Sequence, residues 1–277
     1  MRASFYTIPC LIGFCLLCAS WFPLDISAQE SRIFVSDIQF EGNHSIPSIR
    51  LKYHLRRSQE GNPYSEESLR RDLRNLTEAY MDQGYLHVEV GSPDVEVRGF
   101  GEPKGALITI PITEGPLYRV DEMSVKNTRV LSSAALVQMC PLKKGDPYSP
   151  VKAAQWGRMI EETYRSLGHI RAQCTIREEI DESGKSVNGT MECEEGPSYR
   201  IGKISLVGDE SMDVSQLKRS LLLREGGVFH PEMLSMSIQY LNRSGAYKPI
   251  SYSDVRTVIH DDERTVDLTF HLQAIEK

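Results

Sequence analysis

The amino-acid sequence predicts an α+β fold of three tandem β-α-α-β-β domains, each a three-stranded sheet covered on one face by two helices. Two motifs that recur about every 80 residues carry this prediction. A Glu-Gly-Pro segment at 114–116 returns at 195–197, and Gly-Asn-Pro-Tyr at 61–64 returns as Gly-Asp-Pro-Tyr at 145–148, then loosely as Gly-Gly-Val-Phe at 226–229. A repeat of this length corresponds to one small domain used in series, because solenoid units span about 20–50 residues.

The repeat divides the chain into a short leader and three units of similar size. We expect a signal peptide at residues 1–28, followed by domains at 32–116, 117–197 and 198–277. Each unit is large enough for a modest hydrophobic core. Few linker residues separate the units, which predicts a semi-rigid array with limited hinge motion.

Each unit opens with a strand. In the first copy Ile38 and Phe40 alternate with polar residues, and equivalent pairs alternate in the other two copies. A turn and a short helical pattern follow, and a loop then leads to a second helix. Ser65 in the first copy, and Ser149 followed by Pro150 in the second, are typical helix starts.

The second helix of each unit has the clearest period. Apolar residues step by four, three and four along one face: Leu69, Leu73, Leu76 and Tyr80, then Ala153, Gly157, Ile160 and Tyr164, then Leu234, Ile238 and Leu241. We assign the two tyrosines to core packing. A glycine follows each helix, at Gly84, Gly168 and Gly245, as expected for a left-handed terminal residue. The third helix is four residues shorter, about one turn, so its buried face keeps its phase.

A hairpin closes each unit. The predicted strand pairs are 86–97 with 106–112, 170–177 with 187–193, and 251–260 with 265–272. Apolar residues alternate with polar ones in these strands, which places the helix pair on one face of the sheet and solvent on the other.

The first 28 residues have the layout of a secretory signal peptide. Arg2 precedes a largely apolar stretch that runs to Leu24, and small residues follow it. We expect cleavage between Ala28 and Gln29, which would give a secreted protein. An uncleaved membrane anchor is the alternative, because about 20 apolar residues can span a bilayer.

Composition and motifs argue against several classes of function. The formal net charge is −6 and basic residues form no stripe, so the chain is a poor candidate for nucleic acid. The histidines are scattered, with no two at the spacing of a helical metal site, and no Gly-x-Ser-x-Gly elbow or phosphate-binding glycine loop occurs. We predict no catalytic residue, no metal, no cofactor and no small-molecule substrate.

Three cysteines follow the leader: Cys140, Cys174 and Cys193. Cys174 and Cys193 lie symmetrically about the turn at 181–186, so they could face each other in a hairpin and form a disulfide. Each also replaces an apolar residue of the first copy, Val90 and Ile112 respectively. Buried free thiols therefore remain the alternative.

The repeated pattern resembles the polypeptide-transport-associated (POTRA) domain. The matching features are the strand end Phe40-Glu41-Gly42-Asn43, the Gly-Asn-Pro-Tyr loop, the helix end from Tyr80 to Tyr85, and the closing Glu-Gly-Pro. The resemblance covers about residues 32–277. It implies a role like that of the periplasmic arms of BamA- and TamA-type outer-membrane assembly factors and of two-partner secretion transporters. Because the sequence ends soon after Leu272, we expect the arm without the family's barrel, in the periplasm and associated with the outer membrane.

The resemblance also implies that the fourth element of each unit is an available sheet edge. Exposed edges can pair with an incoming strand, here of an unfolded outer-membrane protein. Pro93 interrupts the first edge, and Arg171, Arg177, Glu178 and Glu179 place charges along the second. The third edge, 251–260, is therefore the predicted docking edge, with the contact residues Ser251, Tyr252, Ser253, Val255, Thr257 and Val258.

These observations predict a non-enzymatic envelope protein that binds unfolded or partner polypeptides by strand addition, in outer-membrane protein assembly or protein transport. One alternative is a structural adaptor that docks a folded barrel or lipoprotein component of an assembly machine. Another is a membrane-anchored scaffold of the cell-division type, which would keep the first segment as a helix in the membrane. Cleavage after Ala28 would rule out the last alternative.

Overall fold

The computed structural model describes residues 33–99, 103–208, 214–243, 245, 247–273 and 275. The predicted signal peptide, with Ala28 and Gln29 at its cleavage site, lies outside the described residues. Unit 1 contains β1 (Ile33–Glu41), α1 (Ser48–Lys52), α2 (Glu66–Met81), β2 (Glu89–Val90), β3 (Asp94–Arg98) and β4 (Lys104–Thr113). Unit 2 contains β5 (Arg119–Lys126), α3 (Ser133–Gln138), α4 (Pro150–Ser166), β6 (Gln173–Asp181) and β7 (Ser186–Glu194). Unit 3 contains β8 (Arg200–Val207), α5 (Val214–Ser220), α6 (Pro231–Arg243), a 3₁₀ turn (Tyr252–Asp254), β9 (Val255–His260) and β10 (Thr265–His271).

In every unit the last strand lies in the middle of the sheet. β4 runs parallel to β1 and antiparallel to β2 and β3. The second sheet has the order β5-β7-β6 and the third has the order β8-β10-β9, again with one parallel and one antiparallel pair. The predicted α+β fold of repeated β-α-α-β-β units is therefore confirmed. The parallel pairing puts the opening strand at one edge and the first hairpin strand at the other.

Each unit has a separate hydrophobic core between its sheet and its helices. In unit 2 the alternate residues of β7 that face the helices are all buried, as the alternation predicted. Helix α4 contributes Trp156, Ile160 and Tyr164 to the same core. The apolar pattern Ile49, Tyr53 and Leu55, which predicts the short first helix of unit 1, is only partly correct. Leu55 is buried, whereas Ile49 and Tyr53 are exposed, and Leu51 is the buried residue within α1 itself.

The predicted ends of the second helices are confirmed. The Ser65 Oγ accepts a hydrogen bond from the Ser68 N–H at 3.4 Å, and the Ser149 Oγ accepts one from the Lys152 N–H at 3.0 Å. Gly84 and Gly168 adopt φ angles of +93° and +88°. A Cβ on Gly84 would also lie 2.7 Å from the Tyr118 carbonyl oxygen, so both backbone conformation and space require glycine there.

In each unit, one buried position of the second helix forms a hydrogen bond with the first helix or with the loop that follows it. In unit 1 the Asp72 carboxylate accepts hydrogen bonds from the N–H groups of Arg57 and Ser58, at 2.9 and 2.7 Å. Ser237 in unit 3 accepts one from the Leu222 N–H at 3.1 Å. Trp156 in unit 2 instead donates to the carbonyl oxygen of Leu136.

The third hairpin differs from its prediction. Only residues from Val255 onward form the first strand, because Ser251 and Asp254 make a capping box that turns the chain. The Asp254 carboxylate accepts hydrogen bonds from the N–H and Oγ of Ser251 at 2.7 and 2.8 Å. Local side-chain bonds of this kind compete with strand pairing. The prediction that Ser251, Tyr252 and Ser253 belong to the strand is therefore wrong.

Candidate functional site

The two edges of each sheet differ in what covers them. In unit 1 the Gly-Asn-Pro-Tyr loop lies along the outer side of β1. The Val35 N–H donates to the Asn62 carbonyl oxygen at 2.9 Å, and the Gly61 N–H donates back to Val35 at 2.8 Å. The Tyr64 N–H completes the set by donating to Ile33 at 2.7 Å. The loop thus occupies backbone groups that an incoming strand would need.

The equivalent loops cover the opening strands of units 2 and 3 in the same way. Val120 exchanges hydrogen bonds with the loop residues Asp146 and Gly145, at 2.9 and 2.8 Å. Ile201 does so with the loop at 226–227, at 2.7 Å for both bonds. The sequence revealed this motif without its role. Its role is to cover one edge of the sheet.

The opposite edge of each sheet is formed by β2 and β3, by β6, or by β9. Among the described residues, no strand pairs with the outer side of these elements. The fourth element of each unit is thus an edge.

The outward-facing backbone groups of β6 and β9 can be read from two hydrogen bonds. The Cys174 N–H donates to the Glu161 carboxylate of α4 at 3.0 Å and not across the ladder. The Val255 N–H likewise donates to the Tyr252 carbonyl oxygen. Because pairs alternate along an antiparallel ladder, every second residue turns its N–H and C=O outward. The outward residues are Ile176, Glu178 and Ile180 in β6, and Thr257 and Ile259 in β9.

The edge of unit 1 is interrupted, as Pro93 predicted. β2 and β3 are separated by residues 91–93. Val90 pairs with Ile112 and Asp94 with Thr109, so the edge strand contains one more residue than its partner across the break. Such a bulge twists an edge and disrupts its ladder. Unit 1 therefore offers only short stretches for pairing.

The edge of unit 2 is longer but carries charges. β6 has nine residues and pairs with β7 along its whole length. Arg177 forms an ion pair with Glu192 at 2.6 Å, and Glu178 accepts a hydrogen bond from the Tyr148 hydroxyl. Charged side chains on an edge discourage pairing with another chain. Arg171, predicted to belong to this edge, lies before β6 and faces unit 3 instead.

The edge of unit 3 is uninterrupted and less charged. β9 carries Arg256 and His260, and the His260 ring lies 3.2 Å from the Asp267 carboxylate of the central strand. Of the predicted contact residues, Val255, Thr257 and Val258 lie on β9. The Thr257 hydroxyl is buried and has no hydrogen-bond partner among the described residues.

In each of the first two units, the closing glutamate follows the last strand. It joins the end of that strand to the second helix and to the loop after the opening strand. The Glu195 carboxylate accepts hydrogen bonds from the N–H groups of Arg129 and Val130, at 2.7 and 2.9 Å, and from the Tyr164 hydroxyl at 2.8 Å. Burial raises the pKa of Glu195, but these hydrogen-bond donors lower it by more than burial raises it. The pKa of Glu195 therefore lies below its ordinary value. Glu114 makes the same kind of contacts with Ser45 and Tyr80. Both tyrosines are buried as predicted, but their hydroxyl bonds were not foreseen from the sequence.

Adjacent units meet through a repeated set of contacts. At the first junction the Tyr118 N–H donates to the Gly84 carbonyl oxygen at 2.8 Å, while Glu182 of unit 2 contacts the Tyr118 hydroxyl and lies 2.9 Å from the His87 ring. The second junction repeats this arrangement with other residues. The Tyr199 N–H donates to the Gly168 carbonyl oxygen at 2.9 Å, and the Asp261 carboxylate contacts the Tyr199 hydroxyl and the Arg171 side chain. The carboxylates lie in hairpin turns, where the sequence suggested no function.

Cys174 and Cys193 lie directly opposite each other in the register of β6 and β7. Both thiols are free in the structure, as is the buried thiol of Cys140. In the part of the chain that the structure describes, His, Cys, Asp and Glu side chains form no group of three or more that could hold a metal ion. None of the described helices has the length and apolar character needed to cross a membrane.

Comparison with known proteins gives consistent matches. A family model described as POTRA, surface antigen variable number repeat, matches residues 33–115 and 199–274, more than half of the chain. The outer membrane protein assembly factor BamA of Neisseria meningitidis serogroup B is 20% identical over 90% of this chain and 32% of its own length. A putative outer membrane protein assembly factor of Treponema pallidum is 23% identical over 90% of this chain and 30% of its own length. The chain thus spans about a third of the length of these relatives.

A solved structure shows the same fold. The crystal structure of Haemophilus influenzae BamA POTRA3-5 superimposes with a TM-score of 0.60, at 18% identity, over 88% of this chain and 97% of that chain.

Proposed function

Because this chain belongs to the POTRA family, we propose that it binds extended segments of outer-membrane proteins by strand addition during their assembly. The observation that carries the proposal is the asymmetry of the sheets. A loop of the chain itself covers the opening strand of each unit, whereas the opposite edge pairs with no other strand among the described residues. Main-chain hydrogen bonds at an open edge depend little on the sequence of the bound segment, which suits many different clients.

β9 is the proposed principal edge. It offers the outward backbone groups of Thr257 and Ile259 without an interrupting proline. The edge of unit 1 is broken by a bulge, and that of unit 2 carries the acidic and basic side chains of β6. A strand bound at β9 would extend the sheet of unit 3 to four strands.

The proposed location is the periplasm, where outer-membrane proteins arrive unfolded. The expected signal peptide at residues 1–28 would deliver the chain there. The relatives of this chain carry the names of outer membrane protein assembly factors, which favours the same process. The proposed role is non-catalytic, because presenting a strand edge requires no reacting group.

A pair of matched proline substitutions tests the proposal. Ile259 pairs with Val266 in β10, and Ile180 pairs with Val187 in β7, at equivalent positions of the two sheets. Both N–H groups face outward, so proline removes a donor that the protein's own ladder does not use. We expect Ile259→Pro to abolish binding of an unfolded outer-membrane barrel protein diluted from urea. Ile180→Pro should leave binding within about twofold of the unmodified chain.

Photocrosslinking locates the bound strand independently. A photoreactive residue at position 258 should form adducts with the same unfolded client, and one at the equivalent position 179 of β6 should form several-fold fewer. Equal labelling at both positions, together with equal binding of the two proline variants, would refute β9 as the principal edge. If neither proline substitution weakened binding of the client or its crosslinking, strand addition itself would be refuted.

A structural adaptor that docks a folded partner is the second candidate. One observation favours it: Met236 and Tyr240 lie one turn apart on α6 and are 53% and 54% exposed. An adaptor would lose its partner in a Met236→Lys, Tyr240→Lys double variant and keep it in Ile259→Pro. Strand addition predicts the opposite result for both variants.

A further inference from the structure

Unit 2 has a pair of thiols where unit 1 has a pair of hydrocarbon side chains. Cys174 of β6 and Cys193 of β7 are direct partners in the ladder, as Val90 and Ile112 are in unit 1. Both side chains belong to the core of unit 2, where Cys193 is buried and Cys174 packs against it. A valine and an isoleucine serve the same packing in unit 1, so the paired thiols allow a reaction that unit 1 lacks.

The backbone shows that the two cysteines form a non-hydrogen-bonded pair. The Cys174 N–H is directed at the Glu161 carboxylate, 3.0 Å away, and so cannot bond to Cys193. In such pairs the Cα atoms lie about 4.5 Å apart and the side chains approach most closely. A disulfide requires Cα atoms about 4.4–6.8 Å apart. The backbone therefore meets the distance requirement without rearrangement of the sheet.

The two thiols also differ in their access to solvent. Cys193 is buried beneath the helices, whereas Cys174 is partly exposed at the sheet edge. The neighbouring Cys193 thiol and burial raise the pKa of Cys174, whereas the Cys174 thiol beside it lowers the pKa of Cys193. An external reagent can reach Cys174, while Cys193 is already placed beside it.

We propose that Cys174 and Cys193 form a dithiol site that is converted to an intramolecular disulfide by exchange with an external disulfide. Cys174 is the thiol that the reagent can reach. It loses its proton, attacks one sulphur of that reagent as a thiolate, forms a mixed disulfide and releases one thiol. Cys193 then attacks the Cys174 sulphur as a thiolate, forms the Cys174–Cys193 bond and releases the second thiol. The protein loses two electrons and two protons, and the external disulfide is reduced to two thiols.

The disulfide would join the edge strand of unit 2 to its central strand. It would close the hairpin of β6 and β7 and restrict separation of the two strands at the end of β6 nearest Glu161. This closure would act within unit 2, because both cysteines lie in the hairpin of that unit.

Peptide mapping after incubation with oxidised glutathione tests the proposal. Trypsin should release residues 172–177 and 186–200 as one linked species, two hydrogens lighter than the separate peptides, and dithiothreitol should reverse the link. Linkage of either peptide to the one containing Cys140 would contradict the proposal. So would free thiols at both positions, or a glutathione adduct that remains on Cys174.

A variant with the residues of unit 1 provides the matched control. Cys174→Val combined with Cys193→Ile keeps an apolar pair at the site and should fold. Oxidised glutathione should raise the midpoint of thermal unfolding of the unmodified chain by several degrees and leave that of the variant unchanged. An equal shift in both proteins would place the effect elsewhere and overturn the proposal.

Discussion

Asp72 offers the most direct test of how one buried side chain supports unit 1. Its carboxylate is fully buried and accepts hydrogen bonds from the N–H groups of Arg57 and Ser58. Ser58 is itself buried, so its N–H would have no access to water if the acceptor were removed. Hydrogen bonds to a charged acceptor contribute about 1.5–3 kcal/mol each, and an unsatisfied buried donor costs about 1–3 kcal/mol.

We therefore expect Asp72→Ala to destabilise unit 1 by about 3 kcal/mol, less than the sum of the two bonds because the Arg57 N–H can be partly hydrated. Asp72→Ser copies Ser237, which serves the equivalent loop of unit 3, and should cost about half as much. Hydrogen exchange followed by mass spectrometry reads each unit separately. Core amides of unit 1 should exchange about 100-fold faster in Asp72→Ala, because 1.4 kcal/mol corresponds to a factor of ten.

The core amides of units 2 and 3 serve as internal controls and should keep their exchange rates. A change of less than about threefold in unit 1 would refute the reasoning, since it would mean that the loop readily finds other acceptors. Equal effects of the alanine and serine variants would refute it as well.

Three further predictions concern the closing glutamate, the junctions and the helix ends. The pKa of Glu195 is lowered in the folded protein, so Glu195 stabilises the fold above its ordinary pKa, and this stabilisation is lost as the pH falls through the lower folded pKa. Glu195→Gln should therefore make the free energy of unfolding, measured by urea titration, fall less steeply between pH 6 and pH 3. His87→Ala removes the contact with Glu182 and should broaden the distribution of distances between units 1 and 2, and Arg171→Ala should do the same between units 2 and 3 by removing the ion pair with Asp261, both measured by pulsed EPR. Unchanged distance distributions in both variants would contradict the role of these side chains. Gly168→Ala should destabilise its unit by about 2 kcal/mol or more in urea denaturation, because a Cβ at this position would lie 2.5 Å from the Val228 side chain. Gly145 has a similar φ but open space around it, so Gly145→Ala should cost only about 1 kcal/mol.

The helices of this chain could be predicted because their signals are local. The stripe from Leu69 to Tyr80 and the serine before it specify one amphipathic helix, and Gly84 ends it. The hairpin of unit 2 was equally readable from the alternation in β7. Each of these signals depends on residues within one or two turns of each other.

The errors arose where local side chains or distant strands decide the structure. Residues 251–254 alternate acceptably for a strand, but Asp254 turns back to cap Ser251, and the alternation alone does not show this. The parallel pairing of β1 with β4 joins residues about 70 positions apart and has no local signal. The covering of β1 by the Gly-Asn-Pro-Tyr loop depends on that same long-range arrangement, so the repeat revealed the motif but not its role.

The closing glutamate and the helical tyrosine form a hydrogen-bonded pair in units 1 and 2, and both residues are missing from unit 3. Helix α6 is one turn shorter than α2 and α4, and the missing turn is the one that carries Tyr80 and Tyr164 in the other units. At the position that corresponds to Glu195 in the register of the hairpins, the sequence of unit 3 has alanine at 274. A partly buried carboxylate without its donors is destabilising, and so is a buried tyrosine hydroxyl without its acceptor. Loss of either member therefore favours loss of the other, whereas the hydrophobic stripe of α6 needs neither and keeps its phase.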